Sequence, residues 1–282
     1  MSNNWGAWTP LYHGVEWLRV TVPFSAVPYP TELGRYPTIN LVRVRLNDPH
    51  VTTYSTSASG LNPNGVQLSQ FLQMTFEQPN QIALQGIVGI NANFFDIEDA
   101  SRRNTIYGLA VSNLETVPSE PPPKDEGYYP LLITKSNRAV IGKQNQPRQV
   151  DTWTAVSGNK LLLHDGRPAV PPPQVDTPHP IIAARTAVGV SYDPDCLYLM
   201  TVDGLETNNF SAPYYGASYF DVAVLLMLAG ATEAVNLDGG GSTTMGRFDN
   251  HGFVPMNVPY GDDVNPNVER AVGNCFAVMA RA

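Results

Sequence analysis

The chain has 282 residues, with 17 Lys+Arg against 25 Asp+Glu for a formal net charge of −8, 43% hydrophobic residues, 23 Gly and 25 Pro. Such an acidic chain lacks the Lys/Arg field that neutralises a phosphate backbone, which excludes nucleic acid as a partner. Charged residues make up only 15%, against ~25% in ordinary soluble domains, and with this much Gly and Pro they indicate one β-rich, loop-rich domain spanning 1–282.

The segment Met1 to Trp8 shows no basic stretch followed by an apolar one and does not read as a signal peptide. Val15 to Val22, Ile39 to Leu46 and Val51 to Thr56 alternate in the manner of strands. After Asn64-Gly65 the spacing of Leu68, Phe71, Leu72 and Phe76 predicts a helix with one apolar face. Gly86 to Asp96 reads as a buried strand running into a polar turn. Two proline-rich segments, Pro118 to Pro123 and Pro168 to Pro180, lack ladder donors and form either surface connections or a rigid wall beside a cleft. Asp151 to His164, centred on Ser157-Gly158-Asn159, is expected to be a β-hairpin.

Toward the C-terminus, Cys196 to Asp203 is a strand ending at Asp203-Gly204. Ser218 with Asp221 three residues on forms a capping box. Val222, Leu225, Leu226 and Ala229 make the inward face of a helix that stops at Gly230. The longest apolar run, Val222 to Ala231, is about half of the ~20 residues that cross a bilayer. Ala234 to Asp238 is a second strand, and the unit matches a βαβ crossover. The fold class expected is α+β: a β-rich mixed sheet with a few packed helices and a βαβ unit near the C-terminus. Cys196 and Cys275 lie in apolar segments without metal or redox spacing and are expected as buried thiols; a disulfide between them requires an oxidising compartment. The five histidines show no compact zinc-ligand spacing.

A parallel crossover puts Asp203 and Asp238 on one edge of the sheet, where ligand crevices form, ~4.8 Å apart if the strands are adjacent. Either aspartate alone is an ordinary turn residue; two Asp-Gly strand ends flanking one crossover point to a site. Gly239-Gly240-Gly241 removes every Cβ where the chain leaves the strand, and Ser242, Thr243 and Thr244 add hydroxyls suited to sugar or phosphate oxygens. No Gly-Lys-Ser/Thr follows, so this is not a nucleotide-binding P-loop. Arg185 pairing with a structural carboxylate, Glu269-Arg270 as solvated charges and Asp96 as a turn residue stay open on the residues alone.

These motifs occur together in order: Asn91 to Asp96, Arg185 to Gly189, Val202 to Gly204, Asn236 to Thr244, and Glu269-Arg270. In them the chain resembles the phosphodiester glycosidases over roughly residues 85–280, most specifically in Asn236-Leu-Asp-Gly-Gly-Gly-Ser242. It departs from that pattern at Ala92, where the family usually has glycine, and at Ile181 to Ala184 before the Arg-Thr element. The resemblance implies hydrolysis of a sugar C1–O–phosphate bond. It implies Asp203, Asp238, Arg185 and Glu269 as catalytic residues. It implies Asn93, Asp96, Thr186, Asn236, Gly239, Gly240, Gly241, Ser242, Thr243 and Arg270 as substrate-binding residues. The implied partner is a small or polymer-linked sugar phosphodiester. No cofactor is required, although an oxygen-only Ca²⁺ or Mg²⁺ site from Asp96, Asp203 or Asp238 stays open. The implied location is secreted or periplasmic if an export signal has been removed, and cytoplasmic if the chain is complete. Tyr214, Tyr215 and Tyr219 are aromatic candidates for a cleft wall, and Asn209-Phe-Ser211 is a glycosylation sequon in a eukaryotic secretory setting. Two competing readings are a metal-dependent phosphodiesterase and a binding module without turnover.

Overall fold

A computed structural model describes residues 6–21, 38–78, 84–99, 101–122, 127–172, 182–192, 195–204 and 216–281. The sequon at Asn209, Tyr214-Tyr215 and most of the second proline-rich segment lie outside the described residues.

Strands are numbered in chain order. The first sheet places, side by side, β1 (Thr9–Tyr12), β2 (Val15–Thr21), β3 (Thr38–Arg45), β14 (Asp195–Val202), β13 (Arg185–Tyr192), β15 (Glu233–Asn236), β11 (Lys160–His164) and β12 (Arg167–Pro168). The second runs β17 (Gly252–Pro255), β16 (Met245–Asp249), β5 (Leu84–Asn91), β18 (Cys275–Arg281) and β4 (Val51–Ser55). The third runs β7 (Glu115–Thr116), β6 (Val111–Ser112), β10 (Thr152–Gly158), β8 (Tyr129–Thr134) and β9 (Ala139–Ile141). Neighbouring strands in all three sheets are antiparallel.

The alternation of each strand decides the layers. One face of the first sheet (Val42, Val44, Val188, Val190, Leu197, Leu199, Val235) packs on Val88, Ile90, Phe276 and Val278 of the second sheet and Leu131, Ile133 and Val156 of the third. Its other face (Leu41, Ala187, Met200, Val202) packs on helix α2 (Tyr219–Ala229) through Val222, Leu225 and Leu226. Helix α1 (Leu68–Phe76) covers the outer face of the second sheet with Leu68, Phe71 and Leu72 against Ile87, Ala277 and Met279. The chain is thus an α+β fold dominated by sheet, layered helix, sheet, paired sheets, helix.

Helix α2 starts and stops as its sequence dictates. Ser218 accepts from the Asp221 amide at 3.2 Å while the Asp221 carboxylate accepts from the Ser218 amide at 2.8 Å, and Gly230 closes the helix at φ 108°.

Two expectations need correction. The βαβ unit exists, with β14 and β15 both antiparallel to β13 and therefore parallel to each other, but β13 lies between them. Asp203 and Asp238 consequently leave strands ~10 Å apart, two strand spacings rather than one. The segment 151–164 is not a hairpin: β10 pairs with β6 and β8 in the third sheet, whereas β11 pairs with β12 and β15 in the first. The chain changes sheets at Gly158, where a Cβ would collide with the Asn236 carbonyl oxygen, so the Ser-Gly-Asn tripeptide serves a close crossing instead of a turn. Both cysteines are free and buried in different apolar clusters, Cys196 under α2 and Cys275 under α1.

Candidate active site

The carboxyl ends of β14, β15 and β5 and the start of β13 meet at one end of the molecule. Ala183 and Ala184, leading into β13, run between two glycine turns. A Cβ on Gly204 would lie 2.6 Å from Gly216 Cα and 2.8 Å from the Ala184 nitrogen, and one on Gly239 would lie 2.9 Å from the Ala184 oxygen. The same oxygen accepts from the Gly240 amide at 2.8 Å, and Gly240 itself sits at φ 58°, where glycine is favoured. The triple glycine therefore lets the loop after β15 press against the backbone that carries Arg185.

At this end the two faces of the first sheet carry different parts of the predicted set, because successive residues of a strand point opposite ways. On the face toward the second sheet, the Thr186 hydroxyl donates to Asn91 Oδ1 at 2.7 Å, and Asn91 Nδ2 donates to the Asp238 carbonyl at 2.7 Å. Asp203 belongs to this face as well. Its Oδ1 accepts from the Val258 amide at 3.2 Å, its Oδ2 is buried without a hydrogen-bond partner, and the residue is 2% exposed. Burial pushes its carboxyl up to about 6, opposed by the Val258 amide, the Asn257 side chain and the Arg19 charge. Asn257 also donates to the Thr243 carbonyl at 3.0 Å, tying the Asp203 environment to the glycine loop. The hydroxyls of Ser242 and Thr243 are buried there with no partner.

On the opposite face, Arg185 stacks its guanidinium 4.2 Å over the Tyr219 ring and donates from Nε to the Ala217 carbonyl at 3.0 Å. Asn236 lies on the same side; its Nδ2 donates to Asn159 Oδ1 at 3.1 Å, and Asn159 donates to the Tyr219 hydroxyl at 3.4 Å. Its own Oδ1 is buried without a partner.

The remaining candidates are held in other ways. Asn93 spends its whole side chain on protein: Oδ1 accepts from the Ser157 amide and from Asn274 Nδ2, and Nδ2 donates to the Tyr107 and Leu109 carbonyls. Glu269 accepts the Ser69 amide at 3.0 Å with Oε2, capping the first turn of α1. Arg270 lies directly against Gly241, where a Cβ would strike its Nη2, and donates to Asp263 Oδ2 at 2.6 Å and to the Gly261 carbonyl at 3.0 Å. Asp96 sits on a turn, accepting from the Asp99 amide and lying 3.5 Å from Arg102. Asp238 is half-buried, with Oδ1 accepting from the Gly239 amide.

Among the described residues the one compact group of three metal-ligating side chains is His164, Asp165 and Glu233, near the β11–β12 turn. Asp96, Asp203 and Asp238 do not form such a group. The His164–Glu233 contact of 3.1 Å raises the imidazole above its ordinary range through that hydrogen bond. Sequence reasoning missed Asn91, which ties β5 to β13, and Asn257 and Asn274, which brace the neighbouring segments through Met245, Thr243 and Asn93. Asn91 and Asn93 share one sequence motif, and only pairing across the sheets distinguishes the two.

The fold is a sheet-dominated α+β domain with a polar rim at one end of its inter-sheet core. The phosphodiester glycosidase family profile matches residues 85–279, and the chain belongs to that family. Among solved structures it is similar to the catalytic domain of zebrafish N-acetylglucosamine-1-phosphodiester α-N-acetylglucosaminidase, auto-inhibited by its pro-peptide. The TM-score is 0.64 at 18% identity, covering 100% of this chain and 85% of that one. A hypothetical protein from Synechocystis gives a TM-score of 0.58 at 15% identity, covering 97% of this chain and 64% of that one. A putative exported protein from Burkholderia pseudomallei gives 0.55 at 13% identity, covering 88% and 75%. No protein of curated function matches the sequence.

Proposed function

We propose that the chain hydrolyses the bond between the anomeric carbon of a sugar and its phosphodiester oxygen, releasing free sugar and a phosphomonoester. The observation that supports this reading best is Asp203, a carboxylate buried at the rim with one oxygen uncommitted, in a chain of the phosphodiester glycosidase family.

The chemistry suits such a group. A phosphomonoester has a second pKa near ~6 and leaves far more readily than a sugar alkoxide, so strong general-acid help is less necessary than in ordinary glycosidases. What the transition state needs is a carboxylate facing the cationic anomeric carbon and donors around the departing phosphate. Asp203 supplies the first, and Asp238 at the mouth of the glycine loop is the second carboxylate within the rim. The backbone of Gly239 to Gly241 with the Ser242 and Thr243 hydroxyls lines the approach, and Arg270 lies against it at Gly241, while Arg185 is held on the other face of the sheet by Ala217 and Tyr219. Glu269 and Asn93 act through the fold: the first holds α1, the second locks the turn after β5.

The test is hydrolysis of glycosyl phosphodiesters in ¹⁸O-water. Label in the released sugar is the expected result, and Asp203→Asn removes turnover. Label in the phosphate shows P–O cleavage and overturns the proposal in favour of a phosphodiesterase.

A further inference from the structure

The rungs of the first sheet continue into strands that precede the family-matched segment. On the face toward the second sheet, one rung is apolar throughout: Trp17, Val42, Leu199, Val188 and Val235, paired in that order. The next rung toward the rim reads Arg19, Asn40, Thr201 and Thr186. One step further, the Asp203 amide donates to the Thr38 carbonyl at 2.9 Å, so Asp203 continues the ladder on the same face as Thr201. The core thus turns from apolar to polar on neighbouring strands at one level.

That polar rung is unfinished. Asn40 is fully buried, yet neither its amide oxygen nor its amide nitrogen has a hydrogen-bond partner. The Thr201 hydroxyl opposite it is in the same position, as is Asp203 Oδ2. Each such group costs about 1–3 kcal/mol when left unmade, so several side by side mark a place where the partner is water or a ligand that can displace it rather than another group of the chain. Arg19 stands at the exposed end of the rung. It forms no ion pair or side-chain hydrogen bond among the described residues, while its charge already acts on Asp203. By contrast Arg270 is committed to Asp263 and Gly261, and Arg185 to Ala217 and Tyr219.

We propose that Arg19 and Asn40 complete the site beside Asp203, Arg19 binding the phosphoryl oxygens of the ligand and Asn40, with the Thr201 hydroxyl, binding a sugar hydroxyl. The inference rests on the sugar-phosphodiester reading above and adds to it two residues outside the family segment. A guanidinium takes two phosphoryl oxygens at once, and an amide offers a donor and an acceptor to one hydroxyl group, so the rung matches a phosphorylated saccharide in the order phosphate outward, sugar inward.

The test uses the full chain and inorganic phosphate as the probe. Titration followed by calorimetry is run on wild type, Arg19→Gln and, as a control on the distant β8–β9 turn, Arg138→Gln. Arg19→Gln weakens phosphate at least tenfold and raises the KM for a glycosyl phosphodiester, while Arg138→Gln does neither. Asn40→Leu, which replaces an unpaired amide by an apolar group of similar size, keeps or raises the thermal midpoint and lowers kcat/KM at least tenfold. Wild-type phosphate binding that is absent, or equal in Arg19→Gln, overturns the subsite, as does full activity in a folded Asn40→Leu. Phosphate binding through Arg19 without any diester cleavage sinks the proposed reaction and leaves the subsite standing. Cleavage with Arg19→Gln indistinguishable from wild type does the reverse.

Discussion

The Thr186 hydroxyl donates to Asn91 Oδ1 at 2.7 Å, joining the first residues of β13 to the last residue of β5 across the inter-sheet core. Asn91 Oδ1 also accepts the Thr244 amide at 3.1 Å, so one amide oxygen ties both sheets to the glycine loop. Thr186 was a candidate for substrate binding from the sequence; its hydroxyl is spent on this tie. Thr186→Val keeps the shape and deletes the donor, and is expected to lower stability by about 1–2 kcal/mol, with Thr186→Ser close to wild type. Urea unfolding of the three proteins measures this, and a Val variant as stable as wild type shows that the tie contributes nothing.

Asp203 makes stability depend on pH in an unusual direction. Its carboxyl is raised from the ordinary aspartate value of 3.8 to about 6 by desolvation. Between those values the native chain binds a proton that the unfolded chain does not, so stability falls as pH rises from about 4 to 6, by up to about 3 kcal/mol, and stays low above. Asp203→Asn removes the buried charge and is expected to be more stable than wild type at pH 7 and equal to it at pH 4. Activity moves the other way: if the carboxylate is the working form, wild-type kcat rises with pH through about 6. Equal unfolding midpoints for the two proteins at pH 7 refute the raised pKa.

Much of this was legible from local chemistry. The alternation of β2, β3 and β4, the face of α1 and the Ser218/Asp221 box of α2 are each contained in a few consecutive residues, and all formed as read. What failed was decided by partners distant in sequence. Ser157-Gly158-Asn159 has the composition of a hairpin turn, and only the Asn236 carbonyl packed against Gly158 makes it a crossing between sheets. The two Asp-Gly strand ends share an edge, but nothing near them tells that β13 separates their strands. Arg185 and Thr186, adjacent in the motif, necessarily face opposite sides of the sheet. Asn40 and Thr201 were invisible because a single polar residue in an apolar strand is ordinary until its unpaired atoms are seen side by side.

Glu269 separates a structural from a catalytic role. Its carboxylate caps α1 by accepting the Ser69 amide. Glu269→Ala is expected to cost about 1 kcal/mol, the usual cost of a lost cap, and to leave kcat/KM nearly unchanged below the unfolding transition. Glu269→Gln, which keeps an acceptor oxygen, is nearly silent in both. Loss of turnover in a folded Gln variant instead makes the carboxylate part of the reaction.

Gly241 and Arg270 are coupled through space. A Cβ at 241 has no room beside Arg270 Nη2 and Asp263 Oδ1, and the guanidinium is fixed from below by the Gly261 carbonyl at 3.0 Å. Gly241→Ala therefore displaces the Arg270–Asp263 pair, both of whose clashing atoms are side-chain ends, and is expected to cost about 1 kcal/mol, the scale of a partly exposed ion pair. Shortening the neighbour relieves the clash, so Gly241→Ala costs less in an Arg270→Ala background than in wild type. The two changes are in contact, and the difference appears as a coupling energy in a double-mutant cycle read by urea unfolding. Strict additivity shows that the loop accommodates a Cβ without moving the guanidinium, in which case the third glycine has another cause, such as close approach of a ligand to its backbone.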